Sequence, residues 1–121
     1  MALSEFTRKL VETKLRNFCR EKISEIFRDR VRLGFRIDDD RVTLFEERLL
    51  FFDPSRWLAL DVAQFRYHEM TNLWSLYYMD RDVRWHAYYL NPKRDFDILL
   101  REVDEDPVGV FWDDRTLMLG W

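Results

Sequence analysis

From Val31 onward the apolar residues stop recurring every three or four positions and fall on every second one. Val31, Leu33, Phe35 and Ile37 alternate with Arg32, Gly34 and Arg36. A chain with this period sends successive side chains to opposite faces of a sheet and gains by burying one of them. Upstream, residues 4–22 contain no Gly or Pro and keep a helical spacing, with Leu10, Val11, Leu15, Phe18 and Cys19 on the stripe expected to face a core. Ser4 can cap that helix and Glu5 suits its first turn. A helical period followed by a two-residue period dictates an α+β domain in which the helix covers one face of the sheet.

The rest of the chain extends this pattern. Residues 24–29 read as a short helical turn or loop with Ile26 and Phe27 tucked inward. "DDDR" (38–41) is a polar turn and "VTLFEERLL" a second strand, so a hairpin is expected. "FDPSRW" breaks the run. Ala63, Phe65 and Tyr67 then alternate with Gln64, Arg66 and His68 in a third strand. "LWSLYYM" and "VRWHAYYL" supply two more, separated by "DRD". The expected sheet has five strands in a mainly antiparallel meander.

Asn91-Pro92 offers a helix cap followed by a proline at the first helical position. Phe96, Leu99, Leu100 and Val103 make an amphipathic C-terminal helix, which Asp106-Pro107 ends. Residues 108–112 fit a short edge strand or a covering segment. The expected core comprises Leu33, Phe35, Leu44, Phe65, Trp74, Leu76, Phe96, Leu99 and Val103. In "VRWHAYYL" the series Val83, Trp85, Ala87 and Tyr89 is the more apolar, so Trp85 is expected to face the core and His86 the other side.

With 121 residues there is room for one domain with one core, here residues 1–121. Apolar residues make up 47% and aromatics 17%, which excludes a disordered chain. No apolar run approaches the roughly 18 residues that span a bilayer, and the charged N-terminus has no signal-peptide block. A cytoplasmic protein without membrane partners is expected. The single Cys19 excludes an internal disulfide and any multi-cysteine zinc site.

Net charge is only -3, but it is divided: residues 1–36 carry ten Lys/Arg against five Asp/Glu, a net +5, and residues 37–121 ten against eighteen, a net -8. Either the basic part meets an anionic partner, or the two parts neutralise each other in the fold. The low total and the acidic remainder predict weak or no binding to nucleic acid.

Four blocks in order carry a resemblance: "FRDRVRLGF" (27–35), "VTLFEER" (42–48), "WSLYYMDRDVRWHAYY" (74–89) and "EVDEDPVGVFW" (102–112). Together they resemble the bacterial domain-of-unknown-function family 3024, over about residues 4–112. The resemblance implies no activity, cofactor or site. The chain departs from the family pattern at Ser24 and Leu49, where proline is expected, and at the apolar tail 113–121, which lies beyond it. Leu117, Met118, Leu119 and Trp121 in that tail are expected to dock on the sheet or across a two-fold onto a second copy.

Two sets of residues could carry function. Glu46 and Arg48 share a strand face, as do Arg84, His86 and Tyr88. A carboxylate held beside cations, an imidazole and a phenol could do acid–base work in a cleft. The structural alternatives are a rim ion pair, a bulge that turns Glu46 outward, and ordinary strand decoration. His68 has less company still. The acidic runs 38–40, 103–107 and 112–114 match no calcium loop, and neither a metal nor a cofactor is expected. Arg32, Arg36 and Arg66 alternate with the core series and so belong to the other sheet face, near aromatics, as interface residues do. The favoured reading is a protein-interaction or ligand-binding module that uses the open sheet face, with a protein partner or a homodimer. The alternative is a small hydrolase or RNA-cleaving enzyme built on Glu46, Arg48, Arg84, His86 and Tyr88.

Overall fold

The computed structural model describes residues 2–112. Helix α1 (Glu5–Lys22) leads through a 3-10 turn (Glu25–Phe27) into five strands: β1 (Val31–Asp38), β2 (Arg41–Leu49), β3 (Trp57–His68), β4 (Leu73–Met79) and β5 (Trp85–Ala87). Helix α2 (Phe96–Glu105) follows. All neighbouring strands are antiparallel, in the order β1-β2-β3-β4-β5. This is the expected α+β architecture, a meander with both helices on one face. Among the described residues no helix is long and apolar enough to cross a membrane. The apolar tail expected to dock lies outside the described residues.

Ser4 caps α1 as its hydroxyl accepts from the Thr7 amide at 3.1 Å, with Glu5 at the positive end and Arg20 and Lys22 at the negative end. Val11 and Leu15 are fully buried, and Phe18 and Cys19 pack at the core margin. Leu10, expected on that stripe, is 42% exposed. One residue of helix is a 100° rotation, and the stripe is centred on Val11 and Leu15. Ile26 is also corrected: it is 75% exposed on the short turn, which buries no residue.

The register sorts the sheet into two faces. On the helix side Phe35, Leu44, Ala63 and Tyr78 lie opposite one another, as do Ile37, Val42, Phe65 and Leu76. Seven of the nine expected core residues are buried; Leu33 and Phe35 are half-buried because β1 is the sheet's edge. Leu49 ends β2, and its amide donates to the Arg30 carbonyl at 2.8 Å, a bond that a proline there would forfeit.

The third strand begins six residues before the first alternating residue, at Trp57. Its register slips between Leu44/Ala63 and Phe45/Asp61, leaving Val62 as an extra residue.

The fifth strand corrects the expected orientation. Tyr78 pairs with His86 and Tyr77 with Ala87, so His86 stands on the helix side and Trp85 on the open side. Tyr88 continues the helix-side series and is 7% exposed, whereas Tyr89 is 74% exposed. The apolar series lost because this strand spans only three residues at the edge of the sheet, with no described element over its open side. The cation that marked the other series, Arg84, sits in the turn before the strand and escapes burial.

The helix α2 starts at Phe96 with Asp95 as its cap, not at Asn91-Pro92. Lys93 and Trp74 exchange backbone hydrogen bonds of 2.7 and 2.9 Å, which hold residues 91–93 extended beside β4 until Asp95 caps the helix. Asp106, at φ 45°, ends the helix, and its carboxylate accepts from the amides of Val110 (2.9 Å), Phe111 (3.3 Å) and Trp112 (3.1 Å). Of the two expectations for residues 108–112, the covering segment is the one observed. Phe111 packs on Tyr88, and the Trp112 indole donates to the Val103 carbonyl at 2.7 Å.

Candidate functional site

Glu46 and Arg48 follow Val42 and Leu44 on the helix side of β2. The bulge falls on β3, so it does not rotate Glu46 outward. Glu46 is 4% and Arg48 2% exposed, and the Arg48 guanidinium donates from Nε to Glu46 Oε1. Around the pair the register sets Leu33 and Leu60 opposite Glu46, and Val31 and Leu58 opposite Arg48. The ion pair is therefore framed by apolar side chains.

The other residues of the expected cleft have different partners. Tyr88 donates to Glu102 Oε2 at 2.8 Å, and burial, reinforced by that carboxylate, pushes its phenol up to about 12. His86 Nε2 lies 2.5 Å from Asp80 Oδ2 and its ring stacks on Tyr78 at 5.5 Å. The other Asp80 oxygen accepts from the Asp82 (2.8 Å) and Arg84 (2.9 Å) amides. These bonds hold the turn around Val83, whose φ of 61° is strained for a β-branched residue. Arg84 itself is exposed. Glu46 on β2 and His86 on β5 stand three strands apart, roughly 14 Å at the usual spacing. The structure does not bring Glu46, His86 and Tyr88 into one pocket. His68 contacts Ser75 Oγ at 2.8 Å on the open side. Among the described residues no group of three or more His, Cys, Asp or Glu could hold a metal ion.

Asp80 gives a pH-dependent turn. The hydrogen bond with His86 and then the Arg84 amide hold its carboxyl below the usual aspartate range. A folded-state value below the unfolded one means the contribution is complete above the unfolded value and is lost as pH falls through the folded one. Acid titration followed by NMR should show the amides of Asp82, Val83 and Arg84 shifting together only at the acid end, below the ordinary aspartate range. Asp80→Asn should remove that transition; its persistence in the variant would assign it to another carboxylate.

The open face gathers Arg32, Arg36 and Arg66. The Arg32 guanidinium carbon lies 3.9 Å from the centre of the Trp57 ring, and its Nε donates to Glu47 at 3.2 Å. Arg36 forks onto Asp61 with two bonds of 3.1 Å and reaches over Phe45 at 5.9 Å. That carboxylate raises the Arg36 pKa. Arg66 lies 3.7 Å over Tyr77 and donates to Gln64 Oε1 at 2.7 Å; Gln64 in turn donates to Thr43 at 3.0 Å. Burial first, and then the like charge of Arg41 directly opposite, pull the Arg66 pKa down. Thr43 and Gln64 are 2% and 7% exposed because these long side chains roof them. The ring partners Trp57, Phe45 and Tyr77 and the carboxylates Glu47 and Asp61 were missed in the sequence. They become neighbours only once cross-strand register is fixed, although the alternation of β2 already places Phe45 and Glu47 on that face. At Gly34 a Cβ would stand 2.6 Å from Phe45 Cζ, so glycine lets the ring lie across β1 toward the sheet's edge.

Beyond that edge a groove of about 520 Å³ separates β1 from the C-terminal half of α1. Arg16, Arg20, Arg28 and Arg32 stand around it, over Cys19, Ile23, Leu33 and Phe35. Burial raises the Cys19 thiol to about 11, so it stays protonated and poorly nucleophilic at neutral pH.

The geometry defines a small α+β domain with one helix-covered face and one open face whose arginines lie over aromatic rings. The family model described as Domain of unknown function (DUF3024) matches residues 3–113, and the chain belongs to that family. No curated protein and no solved structure matches the chain.

Proposed function

We propose that this chain is a binding module whose open sheet face meets a protein partner. One observation carries the reading: three arginines lie over aromatic rings, Arg32 and Arg66 at 3.9 and 3.7 Å from the ring centres and Arg36 at 5.9 Å, across a face that no described element covers. Arginine, tryptophan and tyrosine supply most interface energy, and side chains already fixed by stacking and hydrogen bonds lose little entropy on binding. Glu47 and Asp61 interleave with the cations, so the face carries both signs and favours a protein over a polyanion. A second copy of the chain is a protein of this kind, and a cytoplasmic setting accords with a lone, unpaired cysteine.

Photo-crosslinking in cells of the source organism tests this. Ala59 and Ala87 are exposed positions on the open face, and Arg101 is an exposed position on α2. Crosslinkers at Ala59 and Ala87 should trap the same protein, and Arg66→Glu should reduce that yield several-fold. Capture from Arg101 alone, or a yield indifferent to Arg66→Glu, would move the partner surface elsewhere.

A further inference from the structure

We infer that the groove between α1 and β1 takes an extended acidic peptide segment, which adds to β1 as a sixth strand. The site borders the open face and shares Arg32 with it, but its helix arginines and its strand edge do not depend on that face binding a partner.

Charge is the first reason. The acidic C-terminal part does neutralise some of the basic helix: Lys14 reaches Asp97 at 2.7 Å and Lys22 reaches Asp104 at 3.0 Å, both on α2. Those lysines lie on the side of α1 that faces α2. Arg16 and Arg20, on the groove side, meet no carboxylate among the described residues; Arg20 donates only to Asn17 Oδ1, at 2.9 Å. Arg28 donates to the Arg20 carbonyl at 2.9 Å and lies 3.7 Å from a Glu25 that is 86% exposed. Arg32 pairs with Glu47 on the open face. Among the described residues no Asp or Glu lines the groove. Among the described residues the groove is thus where positive charge gathers without facing carboxylates, and a ligand's carboxylates would complete it.

The strand edge is the second reason. The outer edge of β1 pairs with no strand among the described residues. Eight residues of extended backbone offer alternating donors and acceptors along it. A peptide satisfies both kinds of group, whereas phosphates would satisfy only the donors. Every second side chain of an added strand would point to the helix side, over Ile23, Leu33 and Phe35, which form an apolar floor. A strand laid beside a helix in this way draws affinity from main-chain bonds and specificity from the alternate side chains. The fitting ligand therefore carries Asp or Glu, interspersed with apolar residues, among the side chains on the helix side, where Arg16 and Arg20 stand.

Selection of the full-length chain against a phage library of short random peptides tests this. Enriched sequences should hold Asp or Glu together with Val, Ile or Leu at every second position, the series that faces the helix. The recovered peptides, synthesised and labelled, should lose roughly tenfold or more in affinity for the Arg16→Glu/Arg20→Glu double variant. Both positions are exposed, so circular dichroism and melting should stay as in the parent. Hydrogen exchange should slow at amides of residues 31–37, and N-methylation of alternate peptide residues should abolish that protection. Basic or neutral consensus sequences, no enrichment, affinity unmoved by the double variant, or protection confined to α1 would each overturn the proposal. So would tighter binding of an oligothymidine than of the selected peptides.

Discussion

Arg48→Ala is expected to destabilise the domain by about 3–5 kcal/mol, the usual cost of breaking a buried ion pair by removing one member. Its partner Glu46 would remain at 4% exposure between Leu33 and Leu60, with its charge uncompensated. At 4% and 2% exposure the pair meets little water in the native state, so solvent does little to replace the lost guanidinium. Replacing both residues together, Glu46→Leu with Arg48→Met, removes the cost of dehydrating two charges along with their attraction. That variant is expected to be neutral or more stable than the parent. Urea denaturation with an unchanged slope measures both. A near-neutral Arg48→Ala would mean that water reaches Glu46 in the native state.

The pair also marks what could be read from sequence. An even number of residues apart on one strand is one face, so Glu46 with Arg48, and Arg32 with Arg36, needed only the period of two. The hairpin of β1 and β2 was legible for the same reason: one face is packed by helices, and alternation survives only where one face is packed. Where both faces are apolar the signal vanishes. Leu58, Leu60 and Val62 do alternate, but Trp57 and Ala59 make the other face apolar as well, and the bulge at Val62 shifts the phase to Ala63 and Phe65, which hides the first half of β3. At Asn91-Pro92 a cap-like signature was present, but the bridge between Lys93 and Trp74 outweighed it. Contacts such as Asp61 on Arg36, Glu102 on Tyr88 and Asp80 on His86 depend on register or on loop geometry, which a single sequence does not state. The groove was further out of reach, since its arginines come from a helix, a connector and a strand. Only the +5 charge of residues 1–36 pointed there.

Phe65→Ala is expected to cost about 3–5 kcal/mol, as large core truncations do. Phe65 is fully buried at the middle of β3, between Val42 and Leu76 in the register, with its ring 4.7 Å from Phe96 of α2. Truncation opens a cavity at the junction of sheet and helix, and both are held there by other contacts that prevent collapse around it. Trp85→Ala removes a larger side chain, yet it should cost only about 1 kcal/mol. Trp85 sits half-buried on the open face, on a three-residue edge strand, so water already occupies much of its surroundings. The order is decided by which face each ring occupies, not by ring size. Melting of the two variants side by side gives the answer: a Trp85→Ala loss equal to that of Phe65→Ala would place Trp85 under the helices and shift β5 by one residue against β4.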